Sequence, residues 1–138
     1  MKISDINIYK VTPRWIFVKL STDEGISGWG EMISGTKTET VVAGGYEIGR
    51  KLIGRNPFEI ERLWQEMHRS FFRGGPINGT IISGLEMALW DIKGKALNVP
   101  VYELLGGAAR DRIRVYSWIG GDRPSDVAEQ AQARVDKG

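Results

Sequence analysis

This chain of 138 residues has one histidine, no cysteine, 17 acidic and 19 basic side chains with which to do chemistry. Without cysteine there are no disulfides, no thiolate metal sites and no thiol nucleophile. His68 could act as a general base or a ligand, but no second histidine or carboxylate stands three or four residues away to complete a metal site. A helix-surface imidazole is the competing reading. A hydroxyl nucleophile needs a base and an orienting group, and no G-x-S-x-G turn occurs. Gly25, Gly28 and Gly30 do not have G-x-G-x-x-G spacing, and no P-loop is present. Two arginines sit beside aromatic residues at breaks in the pattern: Arg14 in Pro13-Arg14-Trp15, and Arg73 in Phe71-Phe72-Arg73-Gly74-Gly75-Pro76. A guanidinium at the lip of a loop suits a carboxylate-bearing ligand through paired hydrogen bonds. An ordinary surface arginine is the alternative for each taken alone, and Glu31 is open in the same two ways. Tyr9, Trp15, Phe17 and Trp29 could line a groove or belong to a core.

The elements that would position these residues follow from periodicity. Residues 2–33 read as three strands, at 2–11, 15–22 and 26–33, with a shift of phase near Asp5. Pro13 and Gly25 mark connections too short for anything but antiparallel neighbours, so the unit is a meander. Thr36-Lys37-Thr38-Glu39 has capping-box spacing and opens a helix to about Leu52, weakened by Gly44-Gly45. Asn56-Pro57-Phe58-Glu59 signals a second helix start, after which Ile60, Leu63, Trp64, Met67 and Phe71 form one face. Glu59, Glu61, Glu66, Arg62 and Arg69 form its solvated side. A long helix over 77–97 carries Ile82, Leu85, Leu89, Ile92 and Ala96 on one stripe, and a short one covers 100–105. Residues 112–119 read as a fourth strand, and Pro124 opens a last helix to about Lys137. This strand either begins a β–α–β unit or joins the meander. The class is α+β.

Composition sets outer bounds. Hydrophobic residues at 41% and charged ones at 26% are ordinary for a globular chain. Eighteen glycines in 138 residues are close to twice the usual share of about 7%. A net charge of +2, with basic residues scattered among acids, speaks against a nucleic-acid partner. No apolar run approaches the roughly 20 residues of a membrane span, and the N-terminus lacks a signal-peptide plan. A cytoplasmic protein with no membrane partner is expected.

The run Ser83-Gly84-Leu85-Glu86-Met87-Ala88-Leu89-Trp90-Asp91-Ile92-Lys93-Gly94-Lys95, followed by Pro100-Val101-Tyr102-Glu103-Leu104-Leu105-Gly106-Gly107, resembles the signature of the mandelate racemase/muconate-lactonizing enzyme family of the enolase superfamily. Gly28-Trp29-Gly30-Glu31 matches too. Pro13-Arg14-Trp15, Arg73-Gly74-Gly75-Pro76-Ile77 and Tyr116-Ser117-Trp118-Ile119-Gly120-Gly121-Asp122-Arg123-Pro124 resemble its sugar-acid dehydratases, galactonate dehydratases in particular. The resemblance implies a capping domain over 1–111, a three-stranded meander plus helical bundle. It implies a truncated (β/α)₇β barrel begun by the strand and helix of 112–138. It also implies loss of water from galactonate after removal of the proton α to its carboxylate, with Mg²⁺ in the full-length enzyme. Catalytic and metal residues are then expected outside this chain, which would be inactive alone and hold no metal. Substrate-side residues implied here are Arg14, Trp15, Glu31, Arg73 and Trp118. Asp91 and Lys95 are expected to tie the signature helix to its neighbours. A sugar acid is the expected partner, and a homo-oligomer is expected at full length. The rival readings are a racemase, cycloisomerase or other aldonate dehydratase of the family, or a non-catalytic α+β binding module.

Overall fold

The odd spacing of Ile3 and Ile6 decides how the first strand is built. The structure, a computed structural model, describes residues 1–33, 35–70, 74–121 and 123–137. Strand β1 (Ile3–Val11) pairs antiparallel with β2 (Trp15–Thr22), and β2 with β3 (Ser27–Glu31), in the order β1-β2-β3. Ile3 and Ile6 are both buried, which strict alternation forbids. An irregularity of register between Ile3 and Asp5 inserts the extra residue, where the sequence shifts phase. Along β2 the alternation is clean: Ile16, Val18, Leu20 and Thr22 point inward. Thr22 is a buried polar residue, and its hydroxyl donates to the Ile26 carbonyl at 2.8 Å. Gly25, at φ +82°, closes the turn between β2 and β3.

The inner face of this sheet is covered by α1 (Thr38–Gly49) and α3 (Pro76–Leu97), with α2 (Ile60–Arg69) packed on α3. A 3₁₀ turn, Arg50–Leu52, extends α1, and α4 (Val101–Leu104) follows α3. Val41, Ile48, Leu63, Met67, Ile81, Leu85, Ala88, Leu89 and Ile92 join the strand residues in one core. On the predicted stripe of α2, Trp64 is half-buried and Phe71 lies outside the described residues. Asn98, in the left-handed region at φ 53°, ends α3, and the Val99 N–H returns to the Gly94 carbonyl at 2.9 Å.

Much of the surplus glycine has one cause. A Cβ on Gly28 would overlap the Ala88 carbonyl oxygen, and one on Gly30 the Gly84 carbonyl oxygen, so β3 lies with its backbone directly on α3. In α1, a Cβ on Gly45 would stand 2.7 Å from Ile8 Cδ1, and Gly49 meets Ile6 in the same way. The helix propensity lost at these glycines is offset by closer burial of the sheet.

Two predicted helix starts are corrected. The capping box does not form: α1 begins at Thr38 after Lys37, with no side-chain cap. Glu39 is engaged by Lys10 of β1 instead, at 2.8 Å. The second helix begins at Ile60, not beside Asn56. Asn56 builds a separate turn, its Oδ1 accepting the Phe58 N–H at 3.0 Å and its carbonyl the Glu59 N–H at 3.2 Å. Within that turn Pro57 is buried.

The chain divides into two units, Met1–Gly107 and Ala108–Gly138. In the second, α5 (Pro124–Val135) starts on its proline as expected, and the Gly120 N–H donates to Gln130 Oε1 at 3.2 Å. The strand expected over 112–119 is not formed. Its residues have no ladder partner among the described residues, and they do not join the meander. Ile113, Val115, Tyr116 and Trp118 are between 76% and 97% exposed. A strand is defined by hydrogen bonds from a neighbour, which local β propensity cannot supply.

Candidate functional site

Antiparallel register brings three of the five expected residues to one end of the sheet. Trp15 opens β2 opposite Val11, and Glu31 closes β3 opposite Phe17. The Met32 N–H then donates to the Ile16 carbonyl at 2.8 Å, carrying the chain past Glu31 beside the start of β2. Arg14 and Trp15 are exposed and Glu31 is half-buried. The Arg14 Cζ lies 5.5 Å from the centre of the Trp15 ring, within cation–π reach. An arginine stacked this way keeps in-plane donors with which to grip a carboxylate or vicinal hydroxyls.

The segment after β3 is fixed from both sides. Met32 is fully buried in the core, and the Ile33 carbonyl accepts the Thr80 hydroxyl at 2.6 Å. Thr80 is absent from the sequence-based set, because a threonine near a helix start carries no signal that its partner lies 47 residues away. Asp91 and Lys95 tie α3 to β3 as expected. Asp91 Oδ2 accepts the Trp29 N–H at 2.9 Å, and Lys95 Nζ donates to the Ser27 carbonyl at 2.9 Å.

Arg73 lies outside the described residues. Trp118 belongs to the second unit and is 80% exposed. His68 is exposed and stacks on Trp64, ring centres 4.9 Å apart. It lines a cavity of about 70 Å³ with Gly74, Gly75, Asn78, Gly79 and Ile82. Tyr9 and Trp29 form neither a groove nor a core. They touch on the outer face of the sheet at 5.4 Å, with Lys19 Nζ 5.7 Å from the Trp29 ring.

Among the described residues, the most perturbed carboxylate is on α2. Two hydrogen bonds from Arg55, at 2.6 and 2.9 Å, and a further one from Arg62 pull Glu66 down to about 2. That network braces α2 against the turn before it. Among the described residues, no three His, Cys, Asp or Glu side chains converge. The described residues therefore do not fit a site for the Mg²⁺ that the resemblance implies, and the Arg14–Trp15–Glu31 end carries a guanidinium, an indole and a carboxylate.

Comparison with known proteins places these features in context. The family model described as mandelate racemase / muconate lactonizing enzyme, N-terminal domain, matches residues 9–106. The chain is 55% identical over 139 residues to a D-galactonate dehydratase of Variovorax paradoxus (strain S110), covering 100% of this chain and 36% of that protein. It is 55% identical over 128 residues to a D-galactonate dehydratase of Ralstonia pickettii (strain 12J), covering 92% and 34%. A crystal structure of an enolase-superfamily member from Salmonella Typhimurium superposes with a TM-score of 0.87 at 35% identity, over 99% of this chain and 40% of that one. A Mesorhizobium loti structure gives 0.91 at 41% identity, over 100% and 40%. The chain spans about a third of the length of the curated relatives it matches.

Proposed function

Because this chain belongs to the mandelate racemase/muconate lactonizing enzyme family, we propose that it is the capping part of a sugar-acid dehydratase, a hydro-lyase acting on galactonate. The reaction removes the proton α to the carboxylate and expels the β-hydroxyl as water, and the resulting enol becomes the 2-keto-3-deoxy acid. Such a proton is weakly acidic, so the chemistry needs a positioned base, an acid for the departing hydroxide and an electrophile for the developing charge. We place that machinery, with Mg²⁺, outside these residues, and no step in this chain runs through the metal. The role proposed for this chain is closure over the substrate: exclusion of water and reading of its far end.

Arg14, Trp15 and Glu31 are the proposed contacts, with Arg73 and Trp118 as further ones. Residues 1–111 are the proposed cap, and 112–138 the proposed start of a barrel, where residues 112–119 precede α5. The proposed setting is cytoplasmic carbohydrate-acid catabolism by a homo-oligomer, with the sugar acid as partner rather than nucleic acid or a membrane. The observation that carries the reading is the 55% identity along the whole chain to a D-galactonate dehydratase. It is tested by assaying the 138-residue chain, and the chain extended to the length of its relatives, with Mg²⁺ and a panel of aldonates. Galactonate turnover by the long form only is expected. Turnover by the short chain would overturn the capping role. Preference of the long form for gluconate, mannonate or a racemisation substrate would overturn the substrate assignment.

A further inference from the structure

Strand β3 is an edge of the sheet, and an unpaired edge is a template for another strand. Two of its outward backbone groups are met by side chains. The Trp29 N–H donates to Asp91 Oδ2 at 2.9 Å, and the Ser27 carbonyl accepts from Lys95 Nζ at 2.9 Å. Lys95 Nζ also donates to that same Asp91 oxygen at 2.7 Å, so the two side chains act as one unit. A neighbouring strand would offer a carbonyl to Trp29 and an amide to Ser27. The pair offers a carboxylate and an ammonium in their place.

We propose that Asp91 and Lys95 are a surrogate strand that closes the β3 edge, and that without them this edge pairs with β3 of a second copy of the chain. The Asp91 and Lys95 side chains are 30% and 47% exposed, so solvent reaches the pair that occupies the edge. Self-pairing suits this strand in particular. An antiparallel copy centred on Trp29 is two-fold symmetric and makes the two indoles cross-strand neighbours. Each of those indoles is now 44% exposed. A fixed pair of opposite charges over the edge is what keeps such a copy away.

The test compares the 138-residue chain with Asp91→Ala/Lys95→Ala and with Asp91→Asn, which keeps an acceptor at the same position. Amide exchange at Trp29 and sedimentation velocity across a concentration series are read for each. The double variant is expected to exchange the Trp29 amide at least about ten-fold faster when dilute, and to dimerise as concentration rises. Asp91→Asn is expected to keep both the protection and the wild-type sedimentation. Unchanged Trp29 exchange in the double variant would overturn the closure. Faster exchange without self-association would overturn the second copy as occupant. Should the double variant fail to fold by circular dichroism, Asp91→Leu, which keeps the side-chain bulk, is read against the same outcomes. No arm depends on turnover.

Discussion

Replacing Gly30 by alanine probes the bare-backbone contact between β3 and α3. The added methyl would overlap the Gly84 carbonyl oxygen, stand 2.8 Å from its carbonyl carbon and 3.2 Å from the Ala88 nitrogen. All three belong to the α3 backbone, so no rotamer change relieves the clash. Ordinary carbon contacts need roughly 3.5–4.0 Å, so β3 must lift from α3, straining the Trp29–Asp91 bond at the same edge. Overpacking costs about 1–3 kcal/mol where side chains can adjust, and we expect about 3 kcal/mol here because backbone cannot. With a urea slope of about 1.5 kcal/mol/M, the unfolding midpoint falls by about 2 M. Two other glycines calibrate the result. Gly25 has open space around it but φ +82°, so Gly25→Ala is expected to cost about 1 kcal/mol through backbone strain alone. Gly79 lies in α3 with nothing within 4 Å, and Gly79→Ala is expected to stabilise by up to about 1 kcal/mol. Urea titration of the three variants followed by circular dichroism gives the order. A Gly30→Ala loss smaller than that of Gly25→Ala would refute the claim that β3 rests on α3 through bare backbone.

Two further expectations are independent of that contact. Arg55 holds Glu66 at about 2 in the folded chain, against an ordinary value near 4.5. The carboxylate's contribution is thus complete above about pH 4.5 and is lost as pH falls toward 2. The gap in urea midpoint between the parent chain and Glu66→Gln should narrow across that interval, and a constant gap would contradict the assignment. In the chain extended to the length of its relatives, Arg14→Ala is expected to raise KM for an aldonate about ten-fold with little change in kcat. That is the pattern of lost ground-state binding, and steady-state kinetics decides it.

The strands and the long helix are legible because their information is local. The alternation in residues 15–22 and the stripe from Ile82 to Ile92 each name one buried face, and both were found. The bulge was readable for the same reason, since Ile3 and Ile6 cannot share a face without one. What sequence hid was tertiary. Glu39 looked like half of a capping box, yet its partner is Lys10 on another element. Gly44 and Gly45 read only as a cost, because a missing side chain does not say what occupies its place. Residues 112–119 have strand composition, and composition cannot provide a neighbour. At the candidate site, Arg14, Trp15 and Glu31 could be brought together once the meander was read, since register alone puts them at one end. The anchor from Thr80 to Ile33 could not, because nothing in either residue announces the other.

Where Gly28 and Gly30 press against Ala88 and Gly84, strand and helix meet like two machined plates without a gasket. Such a joint has a single seating, and Glu31, one step beyond it, inherits that fixity. The bend between Val11 and Trp15 is clamped by no such joint. Anyone reshaping this end to admit a longer or shorter acid should therefore insert or delete residues in that bend, and leave the glycine seam alone.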